Sequence, residues 1–156
     1  MAALWAMGSV TFCSPAGNRY ATACATAARF NNAELAFRPA EGLYTVAETL
    51  LHVAHEEEIE VRYGITRALL ELPPAYDALN FSSVPSVLEV FADVHGRTIV
   101  YLMGVTDEAL LSEIETPWGA RMQQAEMLMH VLEHELHHRG ELSLMLGLLG
   151  RPGLDA

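Results

Sequence analysis

The stretch TVAETLLHVAHEEEIEVRYGITRALLELPP, from Thr45 to Pro74, decides the fold class. Thr45 followed three residues later by Glu48 is a capping-box pattern: hydroxyl and carboxylate each satisfy a backbone N–H that the first helical turn leaves without a partner. Leu50, Leu51, Ala54, Val61, Ile65, Ala68, Leu69 and Leu72 then recur at helical spacing, and Pro73 with Pro74 stops the run because neither can donate a backbone hydrogen bond. The pattern predicts an amphipathic helix from Thr45 to Leu72.

Three further helices fit around it. The region Tyr20 to Phe37 is rich in alanine and threonine and predicts a first helix with a face of small side chains. Another begins at Ser83 or Ser86, carries Leu88, Phe91, Ile99 and Leu102, and stops at Gly104. The last runs from about Ala120 to Leu149 and is closed by Gly150 and Pro152. A short extra helix after Thr106 has Asp107 and Glu108 at the positive end of its dipole. Strand signals are nearly absent. The expected architecture is therefore all-α: a four-helix bundle with a short extra helix before the last long one, its functional groups projecting into the core or mouth. Residues 1–16 read as a loose tail, 17–150 as the bundle and 151–156 as a second tail.

The 156 residues suit one domain, and 20 acidic residues against nine arginines and no lysine give a formal charge of −11. Such a surface repels phosphate polyanions, which argues against nucleic acid and anionic membranes as partners. No apolar run is long enough to span a bilayer, and the uncharged first 18 residues lack the basic flank of a signal peptide. Two cysteines, Cys13 and Cys24, are too few for a disulfide-built fold. These features together lead to an expected cytoplasmic location.

The chemistry concentrates in the seven histidines. On the last helix Met127, Val131, His134, His138, Leu142, Met145 and Leu149 form one apolar stripe, while Glu126, His130, Glu133 and His137 form a polar arc, which predicts that His130 and His137 are solvated. His134 and His138, one turn apart in an apolar stripe, both need partners for their ring nitrogens, and one divalent ion would satisfy both. A third ligand must come from another helix; His52, His55 and His95 are the candidates, and spacing does not choose among them.

The segment His134 to His138, HELHH, also meets the H-E-x-x-H metalloprotease pattern with Glu135 as the base, but only 18 residues follow, none is a histidine, and no strand is evident to align a peptide. A di-iron carboxylate site needs two Glu-x-x-His motifs, and only Glu135 with His138 supplies one. Neither cysteine has a histidine nearby in sequence for nucleophilic catalysis.

HELHHRGE, His134 to Glu141, together with YTVAETLLHVAHEE, Tyr44 to Glu57, resembles the DinB/YfiT-like metalloenzyme family. The likeness extends over about residues 30–150, including the FRPAEG segment and the Thr116-Pro117-Trp118-Gly119 lead into the last helix; the family's frequent glutamine is Glu141 here. The resemblance implies a variant up-and-down four-helix bundle, often a homodimer, holding one zinc or nickel ion through His52, His134 and His138, with His55 and His95 returned to the core. Three imidazoles leave a coordination position open, where a water is acidified or a thiol deprotonated. Relatives of this kind imply transfer of a low-molecular-weight thiol to a small-molecule substrate as the favoured reaction, hydrolysis as the second, and a non-catalytic metal-stabilised bundle as the third. Glu56, Glu141 and Glu135 are the candidates for orienting imidazoles or accepting protons.

Overall fold

The computed structural model describes residues 23–154, so the N-terminal tail expected over residues 1–16 lies outside the described residues. Among the described residues there are five α-helices: α1 (Ala23–Ala27), α2 (Val46–Glu58), α3 (Val84–Gly104), α4 (Asp107–Leu111) and α5 (Gln124–Leu148). The all-α class holds, with α4 as the short helix before the last long one.

Helix α2 starts where the capping box places it: Glu48 N–H donates to Thr45 Oγ1 at 3.1 Å and Thr45 N–H donates to Glu48 Oε2 at 2.6 Å. It packs against both α3 and α5, while α1 contacts all three. Leu50, Leu51 and Ala54 of α2, Val87, Phe91 and Val94 of α3, and Leu142, Met145 and Leu146 of α5 meet in one core, with Cys24, Ala27 and Phe30 closing it from the α1 side. Burial of these apolar faces, at roughly 25 cal/mol per Å², is what holds the helices together.

Three boundaries differ from the expectations, and one alternative is resolved. The first helix does not reach Phe37, because the Asn31 side chain accepts from Ala33 and Glu34 N–H and starts a separate 3₁₀ turn, Asn32–Ala36. Helix α2 does not reach Leu72: it passes into a π-helical segment, Ile59–Ile65, and the chain then turns at Arg67, whose φ of 56° is left-handed. Leu70 and Leu72 are consequently exposed. Between Ser83 and Ser86 the cap is Ser83, which accepts from Ser86 N–H at 3.3 Å. Last, α5 begins at Gln124 rather than Ala120, since Arg121–Gln123 pairs antiparallel with Glu113–Glu115 (β2 with β1) across a turn held by the buried Thr116. Three-residue strands are too short to show an alternating pattern.

The C-terminal end of α5 closes as read, with Gly150 at φ 75° and Arg151 N–H donating to Leu146 C=O at 2.9 Å. Beyond it, Arg29 donates to the carbonyls of Pro152 and Gly153, and Arg151 pairs with Glu34 at 2.7 Å, tying residues 151–153 to the α1 end.

Candidate metal centre

Helices α2 and α5 lie antiparallel, so His52 on α2 faces His134 and His138 on α5, and Glu60, in the π-helical continuation of α2, faces His130. The facing contacts fix this register. His134 Nε2 lies 3.2 Å from His52 Nε2 and 3.1 Å from His138 Nε2, while Glu60 meets His130. One nitrogen from each of His52, His134 and His138 falls within 4.8 Å of the other two. These three are brought together; His55 and His95 are not. His55 is buried with its Nε2 bonded to Pro73 C=O at 2.9 Å, and His95 Nδ1 meets Glu57 Oε1 at 3.0 Å.

The donor set fits a divalent cation. In a tetrahedral site with metal–nitrogen bonds of about 2.0–2.1 Å, neighbouring ligand nitrogens lie roughly 3.3–3.4 Å apart, close to the spacings around His134. His138 Nδ1–H donates to Glu141 Oε2 at 2.6 Å, which leaves its Nε2 lone pair directed at the cluster. Burial depresses the His134 pKa to about 4, with the neighbouring His138 and His52 adding to the effect. Burial also lowers that of His52, partly offset by the Glu56 carboxylate. Both are therefore neutral at pH 7, the form that ligates. His138 is buried, whereas the His52 side chain is 27% exposed, so the cluster is open on one side. Tyr44, the residue before the α2 cap, stands there with its ring centroid 5.6 Å from that of His52.

Glu141 is thus in contact with a triad member, and its other oxygen lies 3.4 Å from His137 Nε2. Glu56 Oε1 is 3.8 Å from His52 Nδ1, beyond hydrogen-bond distance. Glu135 faces elsewhere: its charge acts on His95 of α3. His130 corrects the expectation of a purely solvated residue, because although its side chain is 61% exposed, its Nδ1 is bonded to Glu60, which is 5% exposed. His137, at 68% exposure, is the solvated member of that arc. Glu60 and Tyr44 escaped the sequence reading; the fixed four-residue step from His52 through Glu56 to Glu60 was the signal available for the first.

Glu58 organises the other side of α2. Arg62 donates to its Oε1 at 2.6 Å, Arg97 at 3.0 Å, and the Tyr76 hydroxyl donates to Oε2 at 3.1 Å. Burial, then the Glu58 charge, pushes Tyr76 up to about 12, so it stays a donor. A surface cavity of about 550 Å³ opens between Ile65, Val100, Tyr101, Thr106 and Gln124, and its lining includes none of the triad residues. Among the described residues no helix is long and apolar enough to cross a membrane.

The DinB superfamily model matches residues 19–142. Among solved structures, a DinB-like protein from Bacillus cereus ATCC 10987 is similar with a TM-score of 0.68 at 16% identity, the match covering 93% of this chain and 91% of that one. No curated protein matches the sequence.

Proposed function

Because the chain belongs to the DinB superfamily, we propose that His52, His134 and His138 hold one divalent ion, zinc or nickel, in a cytoplasmic enzyme that transfers a low-molecular-weight thiol to a small-molecule electrophile. The observation that carries the reading is the convergence of three Nε2 atoms from two helices on one point, with His138 fixed from behind by Glu141.

When bound, the ion supplies a Lewis acid that favours the deprotonated form of a thiol or water. The protein's own groups do the rest. Glu141 holds the His138 tautomer and ring plane, and the Glu56 carboxylate, 3.8 Å from His52 Nδ1, acts on His52 through its charge. Tyr44 and the exposed edge of His52 border the approach for a ligand. Among the described residues no fourth histidine, cysteine or carboxylate atom lies within 4.8 Å of all three, and the other cluster, His137, His138 and Glu141, shares only His138 with the triad. An open site of this kind favours catalysis over a purely structural ion, which is normally closed by four protein ligands. Hydrolysis is the second reading, supported by the same open face. The homodimer expected from the family belongs to this proposal as well, with Leu136, Leu144 and Leu148 as exposed apolar residues on α5.

The test is elemental analysis after zinc and nickel dialysis of the full chain, of His52→Ala, and of the His134→Ala/His138→Ala double variant. One equivalent in the parent, lost in both variants, supports the site. Undiminished metal in His52→Ala would show the triad assignment to be wrong.

A further inference from the structure

One turn from the triad, Glu60 and His130 form an arrangement that the proposed metal site does not use. Glu60 sits at the second position of the π-helical segment, and its side chain is buried. Its Oε1 meets His130 Nδ1, and its Oε2 is buried with no hydrogen-bond partner. His130 is the reverse: its ring is 61% exposed, and its centroid lies 6.3 Å from that of His134. Burial raises the Glu60 pKa, while the hydrogen bond and charge of His130 work against that rise; with Glu60 ionised, its oxygens can only accept, which places the proton of a neutral His130 on Nδ1 and the lone pair on the exposed Nε2. Free imidazole in water favours the opposite tautomer, which makes the buried carboxylate the element that imposes this one. The same logic, a buried carboxylate behind an exposed imidazole, orients the base of hydrolytic triads.

We propose that Glu60 and His130 are an acid–base pair beside the histidine triad, with Glu60 positioning His130 so that Nε2 accepts the proton of the nucleophile used there. This deepens the thiol-transfer reading and rests on it. In the step, the thiol S–H bond breaks and its proton passes to His130 Nε2. The sulfur forms a bond to the electrophilic carbon, and the leaving group departs with its electron pair. The imidazolium is then held by the Glu60 carboxylate until its proton is returned to solvent. No oxidant or reductant is needed.

The first arm of the test is independent of turnover: long-range ¹H–¹⁵N NMR of the zinc-loaded, histidine-labelled full chain. His130 is expected as the Nδ1–H tautomer, to revert to Nε2–H in Glu60→Ala, and to keep Nδ1–H in Glu60→Gln, whose amide oxygen still accepts. An Nε2–H tautomer in the parent protein overturns the proposal, and so does an unchanged tautomer in Glu60→Ala. If that variant does not fold, the parent spectrum and the Glu60→Gln variant still decide. The second arm follows 2-mercaptoethanol displacing chloride from 1-chloro-2,4-dinitrobenzene. His130→Ala is expected to lower the zinc-dependent rate by about 10²-fold or more, with zinc content unchanged and partial restoration by added imidazole. An undiminished rate in His130→Ala overturns the base role. Absence of zinc-dependent transfer in the parent protein instead fails the thiol-transfer reading, and the base role falls with it.

Discussion

Gly64 and Gly96 make a matched pair in which one substitution, glycine to alanine, has opposite expected signs. Both lie within helical segments, Gly64 in the π-helical end of α2 and Gly96 in α3. Alanine favours a helix interior over glycine by about 0.8–1 kcal/mol, partly because the unfolded chain has less freedom to lose. At Gly96 a Cβ meets nothing within 4 Å, so that gain is expected nearly whole, raising Tm by about 2–4 °C for a domain of this size. At Gly64 the Cβ meets Met127 Sδ at 2.9 Å, Trp118 Cη2 at 3.2 Å and the Ile59 carbonyl at 3.4 Å. Trp118 is half-exposed and can swing away, but Met127 is 2% exposed and has little room. Overpacking a full core typically costs about 1–3 kcal/mol, which outweighs the propensity gain and leaves Gly64→Ala destabilised by up to about 2 kcal/mol. Urea unfolding followed by far-UV circular dichroism on both variants gives the two numbers. A Gly64→Ala protein as stable as Gly96→Ala would refute the close packing of the π segment against Met127.

Other outcomes follow from the same contacts. Leu142→Ala, at a side chain 1% exposed between α2 and α5, should destabilise by about 2–5 kcal/mol in the same unfolding assay. Thr45→Ala removes the acceptor for Glu48 N–H and should cost about 1 kcal/mol. His95 has a folded pKa raised above 6.5: burial pushes it down, but the hydrogen bond and charge of Glu57, with Glu135 adding, more than reverse this. The folded state therefore binds the His95 proton more tightly than the unfolded one. Its stabilisation is complete below pH 6.5 and is lost as pH rises through the folded value. Urea midpoints of the parent protein and His95→Gln should accordingly converge between pH 6 and pH 9; a gap that widens with pH would reverse the assignment. Zinc in excess should raise Tm in the parent and not in His134→Ala/His138→Ala.

Much of this was legible in the chain, for identifiable reasons. The Thr45–Glu48 box, the Ser83 region and the Gly150–Pro152 stop are local chemistry, and each sits where local rules put it. The pairing of His134 with His138 is fixed by helical repeat alone, but the choice of His52 over His55 and His95 depended on how α2 is rotated against α5, which only the family resemblance supplied. What stayed hidden depends on non-local packing. The apolar spacing continued to Leu72, yet the helix ends at Ile65 because a π turn redirects the chain and Arg67 reaches the Glu115 carbonyl. The strands Glu113–Glu115 and Arg121–Gln123 exist only through each other. His130 lies on a polar arc by sequence, and nothing local to α5 announces the buried carboxylate that the π-helical segment after α2 brings to it.

The measurement closest to the central claim is the visible absorption spectrum of the cobalt(II)-substituted full chain, recorded with and without 2-mercaptoethanol. Three histidines with an open position predict one equivalent of bound cobalt and a new sulfur-to-metal charge-transfer band on adding the thiol. That band should be lost together with the cobalt in His52→Ala. A cobalt spectrum that the thiol leaves unchanged would contradict the account, since it would mean a closed coordination sphere in place of an open one.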